Sequence, residues 1–224
     1  MHLVNAAVLE QWETLSDEQV VGRVVAGQTA LFEVLMRRHN ERIYRAARAI
    51  LRDEREAEDV MQQAYVNAYT HLRQFDGRAQ FSTWLTRIAV HEALARIRKR
   101  ARFTQFLPDD DTMQESPMHS SRAADPERQA FARELAAILE HAIDRLPDGA
   151  REVFMLRQVE GMSTADVAAA LDVSEDAVKA RFSRARAALR RDLSQQVGIV
   201  SGETFRFLRP RCDRVVAAVL ARIQ

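Results

Sequence analysis

The chain has 224 residues, and its 33 Lys and Arg against 32 Asp and Glu give a formal net charge of +1. A single cysteine, Cys212, excludes an internal disulfide and a cysteine-rich zinc site, and indicates a reducing compartment. The sequence lacks the basic-then-apolar start of a signal peptide and any apolar run of the roughly 20 residues that a membrane helix needs. We therefore expect a cytoplasmic protein without membrane insertion.

Apolar residues recur at intervals of three and four, and the chain has only seven glycines and five prolines, which predicts an all-α protein. A short helix begins after Ser16, a longer helix follows it, and a third begins after Arg52. The stretch 75–78 interrupts the pattern before a fourth helix that carries Phe81. We expect these helices to form one small domain over residues 14–101.

The apolar rhythm fails over residues 102–125, where three consecutive acids, Asp109 to Asp111, indicate a flexible acidic linker. A second small helical domain is expected over residues 126–193, with helices at 127–145, 148–160, 163–171 and 174–192. The remaining residues, 194–224, form a C-terminal extension in which a short terminal helix is expected.

The segment 164–183 is typical of a helix-turn-helix. The small Ala168 lies where the two helices approach most closely, and Asp172 occupies a turn position that needs a positive φ. Ser174 is expected to cap the second helix. A side of that helix with small and basic residues suits close approach to DNA, although a solvated amphipathic helix is the simpler alternative. The candidate DNA-binding residues are Ser174, Asp176, Lys179, Arg181, Ser183, Arg184 and Arg186.

Basic residues are concentrated in two places. Residues 91–102 hold five Lys or Arg and one Glu, and residues 179–191 hold six Lys or Arg and no acid. Because an acidic run separates the two stretches, they suggest two contacts with one polyanion.

Two small helical domains, the second with a helix-turn-helix, resemble the bacterial extracytoplasmic-function sigma factors of the sigma-70 family. The blocks that resemble the first domain of that family are LFEVLMRRHNERIYRAARAI, AEDVMQQAYVNAY and FDGRAQFSTWLTRIAVHEALARIRKR. The block that resembles the second is LPDGAREVFMLRQVEGMSTADVAAALDVSEDAVKARFSRARAAL. The resemblance covers about residues 16–193 and implies a protein that directs core RNA polymerase to particular promoters.

The resemblance also implies which surfaces bind the polymerase. The first domain would grip the clamp through the helix of the AEDVMQQ block, and the second would dock on the flap and read the −35 element. An ordinary amphipathic helix is the alternative for this block. Gln63 stands where the family often has an acid, so the contact is expected to be less charged. The candidate polymerase-binding residues are Asp59, Val60, Gln62 and Gln63.

The first domain is implied to open the −10 element. Aromatic residues beside a glycine-containing loop and a basic helix suit the capture of an unpaired base and the holding of phosphates. Phe81 fits a core position equally well, and Trp84 favours the core. His91 lies where relatives often carry Asn, so the −10 preference of relatives does not transfer to this chain. The candidates for contact with the −10 element are Phe75, Arg78, Phe81, His91, Arg96, Arg98, Lys99 and Arg100.

Two other classes of protein compete with this interpretation. A helix-turn-helix regulator that acts without polymerase needs a ligand pocket or a dimer seam, and it gives no reason for the second basic stretch. An enzyme is disfavoured because the chain has no phosphate loop, nucleophile elbow or metal-binding helix motif, so we expect no cofactor, metal or catalytic residue.

The C-terminal extension carries an apolar stripe of Val215, Val219, Leu220 and Ile223. We expect its terminal helix to pack against the protein itself or a partner. Cys212 beside that stripe is expected to be a small buried residue rather than a redox switch. The family resemblance also suggests an anti-sigma factor or other regulator as a partner.

Overall fold

The computed structural model describes residues 14–104 and 126–201, with side chains for residues 14–102 and 134–195. All regular structure in these two ranges is helical. Short 3-10 helices lie at Thr29–Leu31 and Leu72–Gln74, and a π-helical turn lies at Met155–Val159. The α-helices are α1 (Asp17–Val25), α2 (Phe32–Leu51), α3 (Glu54–Thr70), α4 (Phe81–Thr104), α5 (Pro126–Asp144), α6 (Ala150–Phe154), α7 (Thr164–Leu171) and α8 (Glu175–Ser201).

Helices α1 to α4 form the first helical unit. Ser16 and Gln19 cap the start of α1 reciprocally, and Asp53 caps α3 by accepting a hydrogen bond from the backbone N–H of Glu56 at 2.7 Å. Helices α2, α3 and α4 pack against one another in all three pairs. Several residues of the core between them are at most 1% exposed, namely Leu35, Ile43, Ala64, Phe81 and Leu85.

Helices α5 to α8 form the second unit. The helix predicted over 148–160 is present over 150–159, as α6 followed directly by the π-helical turn. Gly149 precedes α6 with φ 73°, and a Cβ at this position would lie 3.1 Å from the guanidinium of Arg181. A glycine therefore suits this loop for both its conformation and its close approach to α8.

The two units share one apolar core. Helix α7 packs against α4, and α6 packs against α2. Burying both faces in one cluster removes from water apolar surface that either unit would otherwise expose. The first unit contributes Ala46, Ala47, Ile50, Leu51, Ala57, Val60, Val90 and Ala93, and the second contributes Val153, Leu156, Met162, Val167, Ala168, Ala170, Leu171 and Val178.

Charged groups accompany this shared core. Arg45 Nε lies 2.7 Å from the carboxylate of Glu160, whose side chain is 2% exposed. The Arg151 side chain is 1% exposed, and its Nε donates to the backbone carbonyl of Ala49 at 2.6 Å. The contact between the units thus combines apolar burial with hydrogen bonds that cross from one unit to the other.

Helix α8 extends beyond its predicted end at residue 192. It continues to Ser201 and passes through Gly198, which the sequence suggests as a break. One glycine inside a helix costs only about 1 kcal/mol relative to alanine, so it does not end a helix whose other residues favour it. The extension beyond the second domain therefore begins as a continuation of α8.

None of the helices within residues 14–104 and 126–201 has both the length and the hydropathy that crossing a membrane requires. The acidic run Asp109–Asp111 lies outside the described residues. The same holds for Cys212 and the terminal helix predicted around it.

Candidate nucleic-acid interface

Helices α7 and α8 have the geometry of a helix-turn-helix. Asp172 ends α7 with φ 54° and ψ 52°, which confirms the left-handed conformation expected at the turn. Val173 N donates to the carbonyl of Ala168 at 3.0 Å and closes the turn. Ser174 Oγ accepts a hydrogen bond from the backbone N–H of Ala177 at 3.2 Å, so the predicted cap of α8 is present.

One side of α8 is buried and the other side is accessible. Val178 and Ala185 are 0% exposed and anchor the helix to the rest of the second unit. The opposite side is free to meet a nucleic-acid groove. The predicted DNA-binding residues that are exposed on α8 or at its cap are Ser174, Asp176, Lys179, Ser183, Arg184 and Arg186.

Arg181 differs from the other predicted DNA-binding residues. It is half-buried, and its guanidinium packs over the backbone of Gly149 just before α6. Its position on α8 is next to the buried face, because it lies three residues after Val178 and four before Ala185. The expectation that Arg181 faces DNA is therefore not supported by its packing.

A concave basic surface lies between α8 and the π-helical turn. Its lining includes Lys179, Phe182 and Ser183. The guanidinium carbon of Arg157 lies 5.4 Å from the ring centre of Phe182, and that of Arg186 lies 5.8 Å from the same ring. The ring thus holds two cations at the edge of the exposed face.

Arg157 is a further functional candidate, which the sequence alone does not reveal. Its Nη1 donates to Thr164 Oγ1, while its buried Nε has no hydrogen-bond partner among the described residues. Arg157 precedes the helix-turn-helix in the chain, so only the packing of the π-helical turn against α8 reveals it. Arg190 also lines the concave surface and was likewise not among the predicted contacts.

The exposed face of α3 carries three of the four predicted polymerase-binding residues. Asp59, Gln62 and Gln63 are exposed, and Gln63 Nε2 donates to Asn67 Oδ1 at 3.0 Å. Val60 is 2% exposed and belongs to the core that the two units share, so it is not accessible in this packed arrangement, and its contact with polymerase stays a prediction.

Apolar groups are also exposed on α3. Val66 is 59% exposed and Tyr69 is 43% exposed, and the ring of Tyr69 lies edge-on to Phe32 with 5.2 Å between ring centres. Because Val66 lies four residues after Gln62 and Tyr69 three residues after Val66, they extend one face of the helix. That face therefore presents polar groups at one end and apolar groups at the other.

Arg96 was predicted to hold DNA phosphates but is already paired. Its Nη2 donates to Asp59 at 2.9 Å, and its Nε lies 3.8 Å from Glu56. Arg96 therefore joins α4 to α3. This hydrogen bond holds the carboxylate of Asp59, one of the polymerase-binding candidates, against α4.

Three aromatic residues form a cluster at the start of α4. Phe75 lies 5.5 Å from both Phe81 and Trp84 between ring centres, and Phe81 lies 5.6 Å from Trp84. Phe81 is 1% exposed and serves as core, which is the alternative that the sequence left open for this residue. Phe75 and Trp84 are half-buried and form the accessible part of the cluster.

The loop before α4 is held by a local ion pair. Asp76 accepts hydrogen bonds from the backbone N–H and the guanidinium of Arg78, and these bonds lower the pKa of the Asp76 carboxyl. The Arg78 side chain is 89% exposed.

Other residues predicted to contact the −10 element are exposed on α4, namely His91, Arg98, Lys99 and Arg100.

The chain matches two families of sigma-70 domains. Residues 35–103 match sigma-70 region 2, and residues 136–189 match sigma-70, region 4. The RNA polymerase sigma-H factor of Pseudomonas aeruginosa is 32% identical over 179 residues, which span 77% of this chain and 91% of that protein. The ECF RNA polymerase sigma factor SigM of Mycobacterium tuberculosis is 35% identical over 79% of this chain and 84% of that protein.

The chain belongs to the extracytoplasmic-function sigma factors of the sigma-70 family. A solved structure with a similar fold is that of CnrH in complex with the cytosolic domain of CnrY. The match has a TM-score of 0.52 and 28% identity, and it covers 80% of this sigma factor and 97% of the matched chain.

This sigma factor directs promoter-specific transcription initiation as a subunit of RNA polymerase and is not itself catalytic. The helix-turn-helix lies within the region 4 match, and the α3 face and the aromatic cluster lie within the region 2 match.

Proposed function

We propose that this sigma factor divides promoter recognition between its two units. The first domain, residues 14–101, binds the clamp of core polymerase and opens the −10 element. The linker, 102–125, joins it to the second domain, 126–193, which docks on the flap and reads the −35 element, and 194–224 form an extension. The observation that carries the proposal is that α8 is buried on one side and presents polar and basic groups on the other.

The −35 contact is assigned to the exposed side of α8. Lys179 and Ser183 line the concave surface and suit contacts with base edges in a groove. Arg157 and Arg186 flank Phe182 at the edge of that surface and suit the phosphates beside the groove. Lys179 Nζ donates to the carboxylate of the preceding helical turn, Asp176, at 3.0 Å, so this bond has to exchange for a contact with DNA.

The −10 contact is assigned to the loop and the accessible part of the aromatic cluster. Phe75 and Trp84 present half-buried rings near the exposed Arg78, an arrangement that suits stacking of an unpaired base beside a phosphate. Phe81 supports these two rings from the core. The exposed cations in the second half of α4 suit phosphate contacts that position the duplex.

The polymerase contact is assigned to the exposed face of α3. Asp59, Gln62 and Gln63 provide polar groups, and Val66 and Tyr69 provide an apolar area suited to burial in an interface. Because a guanidinium of α4 donates to Asp59 at 2.9 Å, this carboxylate is oriented before a partner arrives.

Promoter binding requires the two units to separate. The −10 and −35 elements lie about 25 base pairs apart by definition, which is roughly 85 Å of DNA at about 3.4 Å per base pair. Two units that share one apolar core do not span that distance. We therefore assign the packed arrangement to the free sigma factor, which polymerase and promoter binding would open.

A regulatory protein is proposed as a second partner. The solved structure that this chain matches is one of CnrH in complex with the cytosolic domain of CnrY. By analogy, we expect this sigma factor to be held by an anti-sigma factor or other regulator. We also expect it to work in the cytoplasm, because polymerase and promoter DNA are found there.

The test is transcription by purified core polymerase from a promoter mapped through transcripts that depend on this protein. Replacing Gln62 and Gln63 by alanine should weaken holoenzyme formation. Replacing Lys179 and Ser183 by alanine should leave holoenzyme formation intact and reduce promoter use. Promoter-specific DNA binding by the isolated protein, with no polymerase-dependent transcript, would instead support a regulator that acts without polymerase.

A further inference from the structure

The second unit carries an apolar stripe that is only half covered. Its members follow one another at intervals of four, three and four positions, so they share one face of α5 and the turn after it; they are Leu135, Leu139, Ala142 and Leu146. Ala142 and Leu146 are each 2% exposed, in a core that also contains Leu189 of α8. Leu135 is 46% exposed and Leu139 is 39% exposed. The stripe thus begins in the core and continues into solvent.

Helix α8 runs antiparallel to α5, as two contacts just beyond the end of α5 and the shared packing of Ala142 with Leu189 indicate. The Arg181 guanidinium packs over Gly149, and three helical turns later Asp192 accepts a hydrogen bond from Arg145 at 2.6 Å. Later residues of α8 therefore contact earlier residues of the chain, nearer to α5.

The end of α8 lies level with the uncovered half of the stripe. From Asp192 to Ser201 the helix advances about 14 Å, at about 1.5 Å per residue. Along α5, the same distance from Arg145 toward the N-terminus leads to Ala136, which lies between Leu135 and Leu139 in the chain. The last turn of α8 is therefore expected beside these two leucines.

The chain beyond Ser201 has the length and the composition to cover them. It holds five arginines against one Glu and one Asp, and it carries the apolar stripe Val215, Val219, Leu220 and Ile223. The segment 202–209 can span up to about 26 Å, which is nearly the length of α5. Glu134 and Glu140 are exposed on α5 near the uncovered leucines and can pair with arginines of this segment.

From these observations we infer that residues 212–223 dock against Leu135 and Leu139 of the same molecule. The docked segment covers the open half of the α5 stripe with its own apolar residues, and its arginines lie near Glu134 and Glu140. The extension is thereby a part of the second unit rather than a free tail, and it adds basic charge to the unit that carries the helix-turn-helix.

The test is amide hydrogen exchange on the full chain. The two variants are the double substitution Leu135→Glu with Leu139→Glu, and the matched control Ala137→Glu. Ala137 is exposed and lies about 180° around α5 from the midpoint of the two leucines, at about 100° per residue. In the wild type and the control, amides of residues 134–141 and 215–223 should exchange on the order of tenfold more slowly than in the double variant.

A second readout is the reaction of the Cys212 thiol with a maleimide, which needs no added label site because Cys212 is the only cysteine. Docking predicts a slower reaction in the wild type than in the double variant. Three outcomes would overturn the proposal: equal exchange and thiol reaction in all three proteins, free-peptide exchange of residues 215–223 in the wild type, or protection that disappears on dilution. The last outcome would indicate that a second copy of the chain covers the stripe.

Discussion

The carboxylate of Glu160 accepts a hydrogen bond from Arg45 Nε at 2.7 Å and thereby joins the loop before the helix-turn-helix to α2. Arg42 adds a second connection, because its guanidinium donates to the backbone carbonyl of Glu160. The Glu160 side chain is only 2% exposed, so its charge depends on these cations for stabilisation. This contact is one of the polar contacts of the interface that, under the proposed function, opens when the two units bind separate promoter elements.

Replacing Glu160 by Gln should loosen the contact between the two units. The substitution removes the buried charge and deprives two guanidinium groups of their shared charged partner, which should lower the free energy of unfolding by about 2–3 kcal/mol. The measurement is the midpoint of unfolding by urea. The slope of the unfolding free energy against urea concentration shows whether the variant still unfolds in the same way as the wild type.

The matched control for this prediction is Glu41→Gln. Glu41 also pairs with Arg45, but its side chain is 83% exposed, so its loss should cost at most about 0.5 kcal/mol. Equal shifts in the two variants would show that burial of Glu160 does not govern the contact.

A second prediction separates Lys179 from Arg181, two cations of the same helix. Lys179→Ala should weaken the holoenzyme–promoter complex and, because it removes a cation from the exposed side of α8, reduce the slope of log affinity against log salt by up to about 1. Arg181→Ala should leave this slope unchanged and lower the stability of the second unit by about 1 kcal/mol, because Arg181 packs over Gly149. If Arg181→Ala weakened promoter binding by the holoenzyme more than Lys179→Ala does, Arg181 would have to be assigned to the DNA-binding face.

The contrast between these two residues shows how far the sequence predicts the site. Local chemistry identifies the turn at Asp172 and the cap at Ser174, because both depend on residues within one short segment. Arg181 and Lys179 look alike in the sequence, and only the approach of a distant glycine distinguishes them. Arg157 is not recognisable as a candidate in the sequence for the same reason, because the aromatic ring beside it comes from another helix.

Val60 and Phe81 of the first domain also show what the sequence does not decide. Periodicity places each on an apolar face, but it does not say whether a second unit or a nucleic acid covers that face. The structure buries Val60 beneath the second unit and Phe81 beneath Phe75 and Trp84. The sequence alone does not show that Arg96 has acidic partners, because these lie on α3, far from it in the chain.

A third prediction concerns the left-handed turn of the helix-turn-helix. Asp172 has φ 54°, a conformation that glycine adopts without strain and β-branched residues strongly disfavour. Asp172→Gly should raise the unfolding temperature by up to about 2–4 °C, and Asp172→Val should lower it by at least that amount. Asp172→Asn serves as the control and should stay close to the wild type, because Asn tolerates this region. A Val variant as stable as the wild type would mean that the turn relaxes to another conformation.

The fourth prediction is a pH dependence at Asp17, which connects α1 to α2. Its carboxylate lies 2.9 Å from Arg38 Nη1 and 2.8 Å from His39 Nε2. Burial raises the pKa of Asp17, but the hydrogen bonds and charges of His39 and Arg38 outweigh it, so the pKa is lowered overall. The stabilisation is therefore fully present above the unfolded-state pKa of about 3.9 and is lost as the pH falls through the lower folded-state pKa.

Asp17→Asn should accordingly be less stable than the wild type at pH 5, and the difference should shrink as the pH falls below about 4. The measurement is the urea midpoint of both proteins at several values between pH 5 and pH 3. Glu18→Gln, which removes an exposed carboxylate from the same turn of α1, is the matched control for the loss of one negative charge. A difference between Asp17→Asn and the wild type that stays constant over this range would show that the bonds to Arg38 and His39 do not depend on the charge of Asp17.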